Sequence, residues 1–80
     1  MDHYVRKEQD KETLDYVQKR LRPENLEIPH HLLPDEIKKI IQKGDKLISW
    51  EQVDGPLCGH GGIALVRNDK VVFQMQEWIS

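Results

Sequence analysis

The spacing of apolar residues changes along the chain, from a helical period in the first half to alternation in the second. Leu14, Val17 and Leu21 recur every three or four residues. This spacing predicts an amphipathic helix whose firm part is residues 13–21. Pro23 should end it, because proline lacks an amide hydrogen and excludes the preceding residue from helical geometry. We therefore expect a first helix followed by a connector.

A second helix is predicted over residues 34–43. Proline suits the first helical position and acidic residues complement the helix N-terminus, and Pro34, Asp35 and Glu36 supply both features. Gly44 follows as a C-terminal cap. The apolar stripe of this helix would be formed by Ile37, Ile40 and Ile41.

Three strands are predicted next, at residues 46–53, 63–66 and 70–78, where apolar residues alternate or run together between turn signals. Asn68 and Asp69 lie between the last two strands. Both residue types tolerate the left-handed backbone angles of a tight hairpin turn. The second half of the chain is therefore expected to be an antiparallel meander.

This order of elements predicts an α+β fold in which two N-terminal helices pack on a three-stranded antiparallel β-meander. The 80 residues suffice for a single small domain, residues 1–80. Residues 1–12 offer little to bury, so we expect them to form an arm that frays or is ordered by a partner.

Two registers are open for the last hairpin. A two-residue turn places Val66 opposite Val71, whereas a three-residue turn places Leu65 opposite Phe73. Either register leaves apolar side chains on both faces of the sheet. The two helices must then divide between the faces, or a second copy of the chain or another partner must cover one face.

Charge and composition exclude several classes of protein. Twelve Lys and Arg against 14 Asp and Glu give a net charge of −2, spread along the chain, which disfavours a nucleic-acid partner. No apolar run approaches the length of a membrane span and no leader is apparent, so we expect a cytoplasmic protein without a membrane partner. The single cysteine, Cys58, excludes an internal disulfide.

Residues 55–62 hold four of the five glycines and suggest a functional loop of about nine residues between strands. One interpretation makes Cys58 a nucleophile with His60 as its base. A second is a zinc site formed by Cys58 and His60 together with His30 and His31. Neither pattern is complete, because the first has no third residue to orient the imidazole and the second lacks the usual paired spacing.

A third interpretation treats the backbone amides of Gly59, Gly61 and Gly62 as an anion-binding nest. The alternative that we favour is a tightly turned connector in which glycine permits positive φ. Trp78, close to the end of the sequence, is a candidate surface anchor, although burial in the core is the default for tryptophan. The candidate binding residues are therefore Cys58, Gly59, His60, Gly61 and Trp78.

These observations predict a small non-enzymatic binding or regulatory module that acts through contact with a protein partner or with a second copy of itself. No catalytic residue and no cofactor is assigned. The alternatives are a small zinc-binding protein that uses Cys58 and His60, and a thiol-dependent enzyme that uses the same pair.

Overall fold

The computed structural model of the chain describes residues 9–79. In this range an eight-residue helix and a six-residue helix accompany a four-stranded antiparallel sheet of order β1-β2-β3-β4. The predicted fold of two helices on a three-stranded meander is therefore wrong, because the chain is mostly β with a small helical part. The elements are α1 Lys11–Gln18, β1 Leu21–Asn25, a 3₁₀ turn His30–Leu32, α2 Asp35–Ile40, β2 Lys46–Gly55, β3 Cys58–Arg67 and β4 Lys70–Ile79.

Strand β1 occupies residues that the sequence assigned to a helix end and a connector. Leu21 pairs with Trp50 and Asn25 with Ile48, with an irregularity between the two pairs. Pro23 is tolerated there because β1 is an edge strand, where a missing amide hydrogen need not break a ladder. Pairing with β2 thus draws Leu21 out of the predicted helix.

Helix α1 begins earlier than its apolar stripe indicates. The Asp10 carboxylate accepts a hydrogen bond from the Thr13 amide at 2.9 Å, which caps the helix N-terminus. Lys11 and Glu12, which were expected in an arm, form the first turn of α1. The remainder of that expected arm, residues 1–8, lies outside the described residues.

Helix α2 ends at Ile40 and not at residue 43, because one tertiary and one local hydrogen bond take the place of further helical bonds. The Arg67 guanidinium donates to the Ile40 carbonyl at 3.0 Å, and the Asp45 carboxylate accepts from the Gln42 amide at 2.9 Å. Gly44, with φ of +93°, lies in the turn closed by the Asp45 amide and the Gln42 carbonyl. The glycine therefore serves a turn and not a helix cap.

The β3–β4 hairpin combines both registers that the sequence left open. Asn68 and Asp69 form the turn with φ values of 53° and 65°, as predicted. Val66 lies opposite Val71, yet Leu65 lies opposite Phe73, because the register shifts between the two pairs. The intervening residue of β4 is a bulge.

Each face of the sheet has its own core. On one face α1 contributes to a cluster of Val17, Trp50, Ala64, Val66 and Val71. On the other face α2 and the residue before it contribute to a cluster of Leu33, Ile37, Leu47 and Leu65. Near the β3–β4 turn, both faces are therefore covered by helices of this chain. This agrees with the interpretation in which the two helices divide between the faces.

Replacing Asn68 by valine should destabilise the fold by roughly 1–2 kcal/mol, because a β-branched side chain opposes a left-handed backbone. Thermal unfolding measures the change. Asn68→Gly is the matched control and should be tolerated, since glycine adopts this backbone freely. A valine variant as stable as the wild type would contradict the assigned turn.

Asp45 should make stability depend on pH. Its side chain is 2% exposed and pairs with Arg67, whose hydrogen bond holds the pKa of the Asp45 carboxyl below its usual value of 3.8. A carboxyl with a lowered native pKa binds protons more tightly when unfolded, so its stabilisation is present above pH 3.8 and is lost as the pH falls further. We expect Asp45→Asn to lower the Tm at pH 7, with a difference from wild type that shrinks below the usual carboxyl pKa. A difference that does not change with pH would contradict the pair's role.

Candidate functional site

Exposed apolar side chains collect at the end of the sheet that carries the β2–β3 turn. We name this group the apolar tip; it consists of Val53, Leu57, Trp78 and Ile79, which are 59%, 85%, 42% and 73% exposed. Among the described residues, the other large exposed apolar side chains are Leu32, Ile40 and Val72, which lie in other elements. The apolar tip is thus the largest local concentration of such side chains in this part of the chain.

The Trp78 indole is supported by glycines of β3. Gly61 pairs with Trp78, and a β-carbon at Gly61 would lie 2.8 Å from indole atoms and 2.5 Å from the Trp50 carbonyl oxygen. A β-carbon at Gly59 would lie 3.5 Å from the same indole. Because Gly59 and Gly61 have no side chains, the indole can pack directly over the backbone of β3.

The predicted glycine loop is wrong, because residues 58–62 form the first half of β3. The connection to β2 is a turn of only two residues, Pro56 and Leu57. The one described glycine with positive φ is Gly44. Glycine is needed in β3 for close approach of neighbouring atoms, and the ladder pairing of β3 with two strands leaves little of its backbone for an anion nest.

His60 belongs to the opposite face, against α1. Its Nε2 lies 3.0 Å from the Tyr16 hydroxyl, and the two rings are nearly parallel with centroids 5.9 Å apart. Trp50 stands edge-on to His60 at 5.6 Å, and its buried Nε1 has no hydrogen-bond partner among residues 9–79. The Asp54 carboxylate is 3.9 Å from His60 Nδ1.

Arg20 extends this aromatic cluster. Its guanidinium carbon lies 3.5 Å from the centroid of the Tyr16 ring, a cation–π contact. The same guanidinium donates to the Tyr16 carbonyl and to the Gln52 side chain. Because Tyr16 of α1 contacts His60 of β3 through both its hydroxyl and its ring, we assign the cluster the structural role of holding α1 on β3.

The four candidate zinc ligands are not brought together. Cys58 is a free, exposed thiol at the start of β3, and the described hydrogen bond of His60 goes to Tyr16. His30 and His31 lie in the 3₁₀ turn, where His30 borders a groove of about 590 Å³ beside Leu33. Across residues 9–79, no three His, Cys, Asp or Glu side chains could share a metal ion.

Of the five candidate binding residues, the structure joins Gly59, Gly61 and Trp78 in one contact. It places His60 on the other face, at Tyr16, and Cys58 at the exposed start of β3. Sequence analysis missed the other members of the apolar tip. The sequence feature that could have indicated them is the presence of apolar residues on both sides of residues 54–56 and at the end of β4.

Acidic residues border the apolar tip. Asp54 follows Val53 and has a side chain that is 55% exposed, while Glu77 precedes Trp78 and is also exposed. Residues 53–62 and 76–79 contain no Lys or Arg. Glu51, farther along β2, is already paired with Arg22. The tip therefore combines an apolar surface with acidic side chains and no neighbouring Lys or Arg in these two segments.

Replacing Gly61 by alanine should displace the Trp78 indole, because the new methyl group would lie within 3 Å of it and of the Trp50 carbonyl. Overpacking of this kind costs typically about 1–3 kcal/mol. We expect a lower Tm and a shifted indole N–H resonance of Trp78. Gly55→Ala is the matched control, since no atom lies within 4 Å of its added carbon. A Gly61→Ala protein with a wild-type indole resonance would show that Trp78 does not lie on β3.

Neither a family model, nor a curated protein, nor a solved structure matches this chain. Among residues 9–79, the helices have eight residues or fewer, so none of them could cross a membrane.

Proposed function

We propose that this chain is a non-enzymatic module that binds another protein through the apolar tip. The observation that carries the proposal is the concentration of exposed apolar side chains at one end of the sheet, with the Trp78 indole resting on Gly59 and Gly61. Large exposed apolar patches bordered by polar residues are typical of protein interaction sites.

The energetics of the tip favour binding. Burying an apolar side chain contributes roughly 1.5–3 kcal/mol, so covering the tip would offset part of the entropy lost on association. Tryptophan is among the residues that contribute most to binding at protein interfaces. Because the glycines of β3 already position the Trp78 indole, little further ordering of this ring is needed when a partner binds.

A cytoplasmic setting is consistent with the exposed free thiol of Cys58, since reduced cysteines persist in reducing compartments. The same thiol gives no support to an enzyme, because the imidazole that would activate it is bonded to Tyr16 on the face of α1.

The proposal predicts that the immobilised full chain will enrich peptides from a displayed library of random linear sequences. Binding of the enriched peptides should weaken at least about tenfold in Trp78→Ala, because loss of a central interface tryptophan costs more than about 1.4 kcal/mol. Val53→Lys should weaken it as well, without altering Trp78. Leu32→Ala, at an exposed apolar residue outside the tip, is the matched control and should bind as wild type.

Two results would overturn the proposal. One is an absence of enriched peptides, and the other is enriched peptides that bind Trp78→Ala and Val53→Lys as tightly as the wild type. Circular dichroism of each variant establishes that it is folded. Sedimentation of the wild type tests the remaining alternative, in which the tip is covered by a second copy of the chain.

A further inference from the structure

Strand β4 is an edge of the sheet, and side-chain amides occupy part of its outer backbone. The Gln9 amide donates to the Gln74 carbonyl at 2.7 Å and accepts from the Gln74 amide at 3.1 Å, as a neighbouring strand would. Gln18 accepts from the Val71 amide at 2.7 Å and donates to the Asp69 carbonyl at 3.1 Å. We name Gln9 and Gln18 the glutamine clamp.

Beyond the glutamine clamp, no other residue among 9–79 pairs with the outer backbone of β4. Hydrogen-bonding direction alternates along a strand, so the N–H and C=O of Gln76 point outward like those of Gln74. No side chain from residues 9–79 forms a hydrogen bond to the backbone of residues 76–79. We name residues 76–79 the open edge. Unpaired edges of this kind are templates for another strand.

The open edge runs directly into the apolar tip. Trp78 lies on the face that β3 glycines expose, and Ile79 pairs with His60, whose side chain lies on the opposite face. An added strand has side chains that alternate between the two faces. A strand with alternating apolar and polar residues would therefore place its apolar side chains on the face of Trp78 while its backbone bonds to Gln76.

The negative charge of Glu77 favours one kind of partner at the open edge. A second copy of β4 paired at this edge would bring Glu77 close to its own equivalent, and like charges across a strand pair are destabilising. A segment with lysine or arginine would instead neutralise Glu77, for which residues 9–79 provide no ion-pair partner. The tip itself contains no basic residue to repel such a segment.

We propose that the partner is an extended segment of another protein, with alternating apolar and basic residues, which adds to the open edge as a fifth strand. This inference rests on the proposed function and specifies its mode and its partner chemistry. Main-chain hydrogen bonds to Gln76 provide affinity, and the contacts with Trp78 and Glu77 provide selectivity.

The test uses three synthetic peptides of equal length with blocked ends. The first alternates lysine and valine, the second alternates glutamate and valine, and the third is the first with alternate backbone amides N-methylated. Binding to the full chain is measured by titration, and hydrogen exchange of the Gln76 amide reports pairing at the edge. We expect the lysine–valine peptide to bind and to slow exchange at Gln76, and both other peptides to bind at least about tenfold more weakly.

Glu77→Lys provides the charge control, because it should reverse the preference in favour of the glutamate–valine peptide. Leu32→Ala, at an exposed apolar residue outside the open edge and the apolar tip, is the matched control, and its binding should match the wild type. Equal binding of the N-methylated peptide, unchanged exchange at Gln76, or a preference that survives Glu77→Lys would each overturn the inference. If the inference fails but displayed peptides still require Trp78 for binding, the proposed function is retained. If displayed peptides also fail to bind through Trp78, both the inference and the proposed function are wrong.

Discussion

The register between β3 and β4 determines which side chains of β4 each helix can bury. The bulge between the Leu65–Phe73 and Val66–Val71 pairs allows consecutive residues of β3 to have apolar partners on opposite faces. Because side chains alternate along a strand, a hairpin without the bulge would move Phe73 and Met75 from the face of α2 to the face of α1. The contribution of β4 to both cores therefore depends on this one irregularity.

Local signals in the sequence were sufficient where a residue's own backbone preference decides its structure. Asn68 and Asp69 adopt the left-handed angles expected of them, and α2 begins beside Pro34 as expected. Strand β1 was not predictable in this way, because it exists through pairing with β2, about 25 residues later in the chain. The early end of α2 has a similar cause, since it depends on a hydrogen bond from Arg67.

The candidate site was also only partly predictable from the sequence, because its contacts depend on strand pairing. Sequence analysis selected Gly59, Gly61 and Trp78 separately, as a loop and as a possible anchor, but their contact requires the register of β4 on β3. Glycine was interpreted through backbone freedom, whereas its role in β3 is to leave room for an indole and a carbonyl oxygen. Strand β3 therefore carries large side chains where it lies between the helices, and glycines where it supports Trp78. This change in side-chain size leaves one end of the sheet outside the cores.

The glutamine clamp links the edge of the sheet to the docking of α1. Gln18 belongs to α1 and Gln9 precedes it, and the Gln9–Gln74 contact joins positions 65 residues apart. Detachment of α1 would therefore uncover Trp50 and the outer backbone of β4 in a single local unfolding event. Such a partly opened chain presents apolar surface and an unprotected strand together, the combination from which intermolecular sheets grow. Firm docking of this eight-residue helix thus contributes to the resistance of the protein to aggregation.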